Sequence, residues 1–317
     1  FATKVVRDLV GVQDLQPKIK SVSTWTVNNM YATTMSNGRV FCMGDATHRH
    51  PPSNGLGSNT SIQDAFNLAW KLAAVIRGQA GMGLLDSYQA ERAPVAKQIV
   101  TRANKSIEEF GPIFKALGML DSVDPVKMQE NMDARCNDTS DAEKQREAIR
   151  QAIAHKVYEF DAHGVEMNQR YKSGAVVTDG QPEPAFEKDA ELHYQPTTWP
   201  GARLPHVWLF GPEGEKVSSL DLTGHGVFTV LTGIGGDGWV AAAKSLSREF
   251  GLPITVHKIG PRQTWQDFSG DWARAREIRD SGALLVRPDH HVAWRAEAAV
   301  KDPEGELRRV LTSILNR

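Results

Sequence analysis

The sequence predicts an α/β fold, α+β in part, built as two consecutive units. Three observations carry this. Residues 38–67 read GRVFCMGDATHRHPPSNGLGSNTSIQDAFN: a short apolar strand (40–43) ends in Gly44-Asp45, a Pro/Gly-rich loop (51–57) follows, and an amphipathic helix begins. The next hundred residues carry mostly helical patterns. From Gly201 onward, strand-like and helix-like stretches alternate and end in a hairpin.

Residues 2–10 suit a short helix with Val5, Val6, Leu9 and Val10 on one side. In 19–31, Val22, Trp25 and Val27 alternate with Ser, Thr and Asn, as in a strand of an antiparallel sheet; Asn28, Asn29 and Tyr31 read as its satisfied polar end, with approach to a bound substrate as the alternative. Beyond the loop, 61–78 places Ile62, Ala65, Phe66, Ala69, Leu72, Ala73 and Ile76 at the spacing of one buried helix face. Thr60 with Gln63 forms a capping box, and Gly78 supplies the C-terminal stop. Residues 84–110 make a second helical region, with a break or kink expected at Pro94. Glu91 and Arg92 are expected as surface or interhelical ion-pair residues. Polar turns fill 118–140, and 141–160 is a helix with a charged, solvated face. Residues 179–200 hold four prolines and five acidic residues and read as an irregular connection along the surface. In 201–317, strands are expected at 227–232, 254–259, 283–286 and 292–295, and helices at 239–250 and 304–316. His290 and His291 fall in the turn of the last hairpin and are expected to be exposed.

The 317 residues are enough for two domains, and 40% hydrophobic residues is ordinary for a globular chain. With 37 basic and 38 acidic residues the formal charge is −1, which gives no argument for nucleic acid or an anionic membrane surface. No apolar run approaches the roughly 20 residues that span a bilayer. Cys42 and Cys136 are the only cysteines. A reducing compartment, the cytoplasm, is therefore expected.

The chemistry concentrates in 44–59. A carboxylate at the carboxyl end of a strand, here Asp45, stands where ligands of open α/β sheets bind and can accept hydrogen bonds from sugar-like hydroxyls. Gly55 and Gly57 permit close backbone approach, and the helix that follows aims unpaired N–H groups at the same place. The pattern favours a flat, partly anionic group. His48 and His50 stand two apart without a third histidine, which is poor metal spacing, so no metal is assigned. No nucleophile elbow with a Ser/His/Asp set is present. Residues 233–238, GIGGDG, satisfy G-x-G-x-x-G between a strand and a helix, but no acidic residue closes the next strand, ITVHKIG. A tight strand–helix turn is the reading taken there.

The run GDATHRHPPSNGLGSNTSIQDAFNLAWKLA, with LLDSYQAERAPVA and FDAHGVEMNQRYKSGAVV further on, resembles the second flavin-binding motif and following segments of single-component FAD-dependent aromatic hydroxylases. Within that group it is most similar to the phenol and chlorophenol hydroxylases. The resemblance implies that Gly44, Asp45 and Ala46 hold FAD, with Asp45 on the ribityl chain, and that Pro52 lies beside the reactive side of the ring. It also implies that backbone groups of Gly57, Ser58 and Asn59 face the pyrimidine edge, with Gly55 and Leu56 in the same cofactor-binding loop. His48, His50 and Asn54 become candidates for positioning or for the substrate pocket. The implied reaction uses NADPH and O2 and hydroxylates a phenol ortho to its hydroxyl through a flavin C4a-hydroperoxide. A small aromatic substrate and a homo-oligomer are expected, with neither nucleic acid nor membrane as partner. No residue is assigned as the catalytic base. The chain begins at Phe1 and its first motif is the second half of a flavin site, so it reads as the C-terminal part of a longer protein: 1–200 the flavin- and substrate-domain part, 201–317 a C-terminal domain resembling thioredoxin. The latter lacks Cys-x-x-Cys, which excludes disulfide exchange. Two alternatives stay open: a hydroxylase of a polyketide or antibiotic ring, and a non-catalytic interaction module.

Overall fold

The structure is a computed structural model describing residues 1–317. Helix α1 (Ala2–Val10) buries no residue. Residues 11–29 have no regular structure; strand β1 (Met30–Tyr31) pairs antiparallel with β4 (His48–Arg49), and β2 (Ser36–Asn37) pairs with β3 (Val40–Phe41). The strand expected over 19–31 is thus confined to its last two residues. Alternation makes a strand only where a partner takes up the backbone hydrogen bonds, and 19–29 meets none in this chain.

Helix α2 (Gly57–Ile76) starts four residues earlier than expected. Thr60 is buried within its first turn and caps nothing, while Gln63 turns to Arg92 (3.4 Å). The buried face is also the reverse of the apolar reading. Asp64, Asn67 and Lys71 are buried with Leu68, Trp70 and Ala74, whereas Ile62, Phe66 and Ile76 are exposed (66%, 46% and 82%). Helix α3 (Asp86–Glu108) supplies the reason: it presents Glu91 and Arg92, both buried, and charged groups removed from water require charged partners. They are interhelical ion-pair residues, not surface ones. α3 also runs unbroken through Pro94, with Val95, Ala96, Ile99, Val100 and Ala103 buried behind it. That packing outweighs the one hydrogen bond the proline removes.

Four short helices follow α3: α4 (Gly111–Ala116), α5 (Pro125–Asp133), α7 (Val157–Phe160) and α8 (His163–Met167), with the longer α6 (Ser140–His155) among them. α5 lies where only turns were expected. Asp124 caps it by accepting from the Val126 N–H (3.1 Å), and Pro125 occupies its first turn.

The last third opens with a hairpin, β5 (Trp208–Phe210) and β6 (Lys216–Ser218), followed by β7 (Phe228–Thr232), α9 (Asp237–Phe250), β8 (Ile254–Lys258), α10 (Asp271–Ala275), β9 (Ala283–Val286), β10 (Val292–Ala296) and α11 (Pro303–Leu315). The four-stranded sheet has the order β10-β9-β7-β8; β7 and β8 are parallel and the other pairs antiparallel. β7 and β9 are buried throughout, as strands covered on both faces must be. Phe228, Val230, Trp239 and Leu246 pack on one face and Leu231, Leu284, Val286 and Trp272 on the other. Trp70, Ala74 and Leu84 enter the first of these cores, so α2 is anchored in the C-terminal sheet layer. At 233–238 the glycines answer to packing: a side chain on Gly233 would sit 2.6 Å from the Asp280 carbonyl oxygen, and Gly235 has φ +81°.

Candidate cofactor site

β3 passes the chain into a single tight turn, Gly44–Ala46. Gly44 has φ +60°, and a side chain there would lie 2.9 Å from Ser61 Oγ, so only glycine fits. Its N–H donates to Asp64 Oδ2 (3.1 Å). Asp45 is left exposed: its carbonyl accepts from Arg49 Nε (3.0 Å), and its carboxylate takes part in no hydrogen bond or ion pair of the chain. Asn54 adopts φ +66° at the tip of the loop. Its amide nitrogen donates to the carbonyls of Tyr158 (2.8 Å) and Glu159 (3.2 Å), and its oxygen accepts from Ser106 Oγ (2.8 Å). Leu56 is buried against Val95, Ile99, Val165 and Tyr171. The loop is thereby pinned from below.

At the first turn of α2 no side chain caps the helix, and the N–H groups of Gly57, Ser58 and Asn59 find no acceptor in the chain. Asp45, His48, His50, Pro52, Gly55, Gly57 and Ser58 line one cavity of about 610 Å³. Gly44, Ala46, Leu56 and Asn59 stand behind or beside it, and Asn54 faces the other way, toward α3 and α7. Trp25, Thr26 and Asn28 form a further wall. Asn28 reads as a polar strand end with substrate contact as the alternative; Trp25 reads as an apolar position of the expected strand, and nothing in the sequence marks Thr26.

Beneath the turn, Asp64 collects three donors: the Gly44 N–H, His48 Nε2 (2.9 Å) and Arg92 Nε (2.7 Å). Burial would push its carboxyl up, but the His48 hydrogen bond and the Arg92 charge outweigh it and hold it below the usual range. The His48 ring lies 6.2 Å from that of His50, stacked, and its Nδ1 is buried without a partner. A second cluster lies deeper. Glu91 accepts from Arg287 (2.5 and 2.9 Å), Lys71 (2.7 Å), Asn67 (2.6 Å) and Ser173 (2.6 Å), and Arg287 also donates to Asp289 (3.0 and 2.5 Å). Burial opposes the charge on Glu91, yet Arg287 and Lys71 hold its carboxyl well below the usual range; burial brings Lys71 down to about 8. Asp64, Asn67 and Lys71 recur at helical spacing in the sequence. That polar stripe was the available signal for a buried network.

His290 and His291 are not exposed as expected: His291 is buried and stacks on Tyr171 at 4.2 Å, while His290 is partly buried and hydrogen-bonded to Thr223 (2.9 Å). Burial, then the Arg203 charge, lowers the His290 pKa to about 4. The unfolded chain therefore binds a proton there between about pH 6.5 and 4 that the folded chain refuses, and stability falls as pH drops through that window. From about pH 4.5 downward, overlapping the lower end of that window, the depressed carboxylates of Glu91 and Asp289 add a further loss. Urea midpoints measured at pH 7 and 5 are expected to fall in the wild type. The fall is expected to shrink in His290→Asn, since asparagine tolerates the positive φ at 290.

Residues 1–103 match the family described as FAD binding domain, and residues 197–317 match Aromatic-ring hydroxylase, C-terminal. The chain belongs to the FAD-dependent aromatic-ring hydroxylases. It is 52% identical over 318 residues to the 2,4-dichlorophenol 6-monooxygenase of Cupriavidus pinatubonensis, covering 100% of this chain and 53% of that protein. To the phenol 2-monooxygenase of a Pseudomonas species it is 49% identical, covering 98% of this chain and 51% of the other. Among solved structures, the flavin-dependent monooxygenase PieE in complex with FAD and substrate superposes with a TM-score of 0.91 at 45% identity, over 99% of this chain and 54% of that one. The chain spans about half the length of the relatives it matches. No helix is long and apolar enough to cross a membrane.

Proposed function

We propose that this chain supplies the flavin loop and the C-terminal unit of an FAD- and NADPH-dependent monooxygenase that hydroxylates a phenol, a chlorophenol in particular, ortho to its hydroxyl. One observation carries the reading: an exposed carboxylate without a partner, Asp45, lines the same cavity as the uncapped first turn of a 20-residue helix. Those groups suit FAD. The carboxylate accepts from ribityl hydroxyls, and the N–H groups of Gly57, Ser58 and Asn59 donate to a carbonyl edge of the ring. Bound FAD supplies the oxidation–reduction chemistry with NADPH and O2. The residues of the chain hold and orient. The positive end of α2 favours negative charge near Gly57, Pro52 closes one side of the cavity, and the His48 ring is kept in place by Asp64.

The names of the relatives support a substituted phenol as substrate, and the similarity to a chlorophenol enzyme runs through the whole chain. The division into 1–200 and 201–317 is supported by the start of the second family match at 197. A parallel pair followed by an antiparallel hairpin, with helices against the sheet, supports a thioredoxin-like reading of the second unit. We assign that unit a role in subunit contact within a homo-oligomer, and unpaired Cys42 and Cys136 suit a cytoplasmic protein.

The test is a product assay on the full-length protein that carries this chain, with FAD, NADPH and O2. NADPH consumption matched by formation of the ortho-diol from a chlorophenol is expected. Turnover of a fused polycyclic ring in preference to any phenol would replace this reading with that of a sibling hydroxylase, and absence of FAD binding and oxidation alike would favour an interaction module.

A further inference from the structure

A file of buried polar side chains joins the flavin loop to the C-terminal sheet. Asp64 holds the Gly44 N–H (3.1 Å) and the His48 ring (2.9 Å), which flank Asp45 in the sequence. Arg92 holds Asp64 through Nε (2.7 Å) and, with the other end of the same guanidinium, donates to the Tyr171 phenol oxygen (2.9 Å). Tyr171 is stacked on His291 at 4.2 Å, and its backbone N–H donates to the Gly201 carbonyl (2.9 Å), itself next to the strand ladder because Gly201 N–H donates to Val292 (2.7 Å). The Arg287 guanidinium lies 5.4 Å from the Tyr171 ring and grips Glu91, the residue before Arg92 on α3. Two neighbouring residues of one helix thus face opposite ways along the file, one toward the hairpin of β9 and β10 and one toward the loop.

None of these groups is needed for solubility, and each is removed from water, so each is held by its neighbours or not at all. A guanidinium gripped at both ends has one position. Its hold on Asp64 then fixes where the Gly44 turn and the His48 ring can stand. We infer that the β9–β10 hairpin is a positioning element of the flavin loop, acting through Tyr171 and Arg92 on Asp64. Tyr171 and Arg92 are positioning residues and touch nothing in the cavity. The functional meaning rests on the reading of the loop as an FAD site; the mechanical coupling does not.

The experiment is residue-resolved amide hydrogen exchange at Gly44 in the 317-residue chain, comparing the wild type with Tyr171→Phe and Thr229→Val. Tyr171→Phe removes one hydroxyl and keeps the stack on His291. Thr229→Val removes a buried hydroxyl bonded to Thr255 (2.9 Å) between β7 and β8, away from the turn of the hairpin. Gly44 is expected to exchange roughly tenfold faster in Tyr171→Phe, the effect of one charge-assisted hydrogen bond, and at the wild-type rate in Thr229→Val. An unchanged Gly44 rate in Tyr171→Phe, or equal acceleration in both variants, would overturn the inference. An FAD titration of Asp45→Ala separates the two questions: retained binding there would remove the FAD reading of the loop, while the exchange rates still decide the coupling.

Discussion

Replacing Arg287 with methionine should lower the stability of the folded chain by about 3–5 kcal/mol, the cost of leaving a buried charge unpaired. Arg287 makes four hydrogen bonds to the carboxylates of Glu91 and Asp289, all three side chains being fully buried. Without the guanidinium, only Lys71, Asn67, Ser173 and His291 remain around two carboxylates that water cannot reach. The loss is measured by urea unfolding at pH 7. It should be strongly non-additive: in a Glu91→Gln, Asp289→Asn background the same Arg287→Met change should cost much less, because no unpaired anion is then created. A single-variant loss under about 1 kcal/mol, the range of exposed pairs, would mean that the network is solvated and that its burial is misplaced. The effect is expected to reach both units of the chain, since Arg287 belongs to the C-terminal hairpin and Glu91 to α3.

The sheet of the last third was legible almost strand for strand, because its elements are local, apolar and bounded by turns. The turn at 40–46 and the helix after it were legible for a different reason: a glycine forced into positive φ and a pinned loop leave a dense local pattern. Legibility failed where a residue's role depended on a distant partner. Ile62, Phe66 and Ile76 follow the helical rule for a buried face, yet α2 turns Asp64, Asn67 and Lys71 inward because α3 and the hairpin bring Arg92, Glu91 and Arg287 to meet them. The same dependence misplaced His291, whose burial is created by Tyr171, 120 residues earlier in the chain. Residues 19–29 failed in the opposite sense, alternating without a strand to pair with. Of the site, Asp45 and the glycines came from the sequence, whereas Asp64 beneath them emerged only from the fold.

Asp45 carries the central claim. A carboxylate that has no partner in the chain and lines a cavity contributes little to folding, so its removal should leave the fold intact and strike binding alone. Two hydrogen bonds from ribityl hydroxyls to a charged acceptor correspond to a loss of affinity of about 10²-fold or more. The decisive measurement is a visible-absorption titration of the purified full-length protein that carries this chain with FAD, run beside Asp45→Ala. Formation of a yellow complex by the wild type, lost in a variant whose thermal unfolding is unchanged, is the predicted result. Equal FAD affinity in the two proteins would contradict the account and move the cofactor away from this loop.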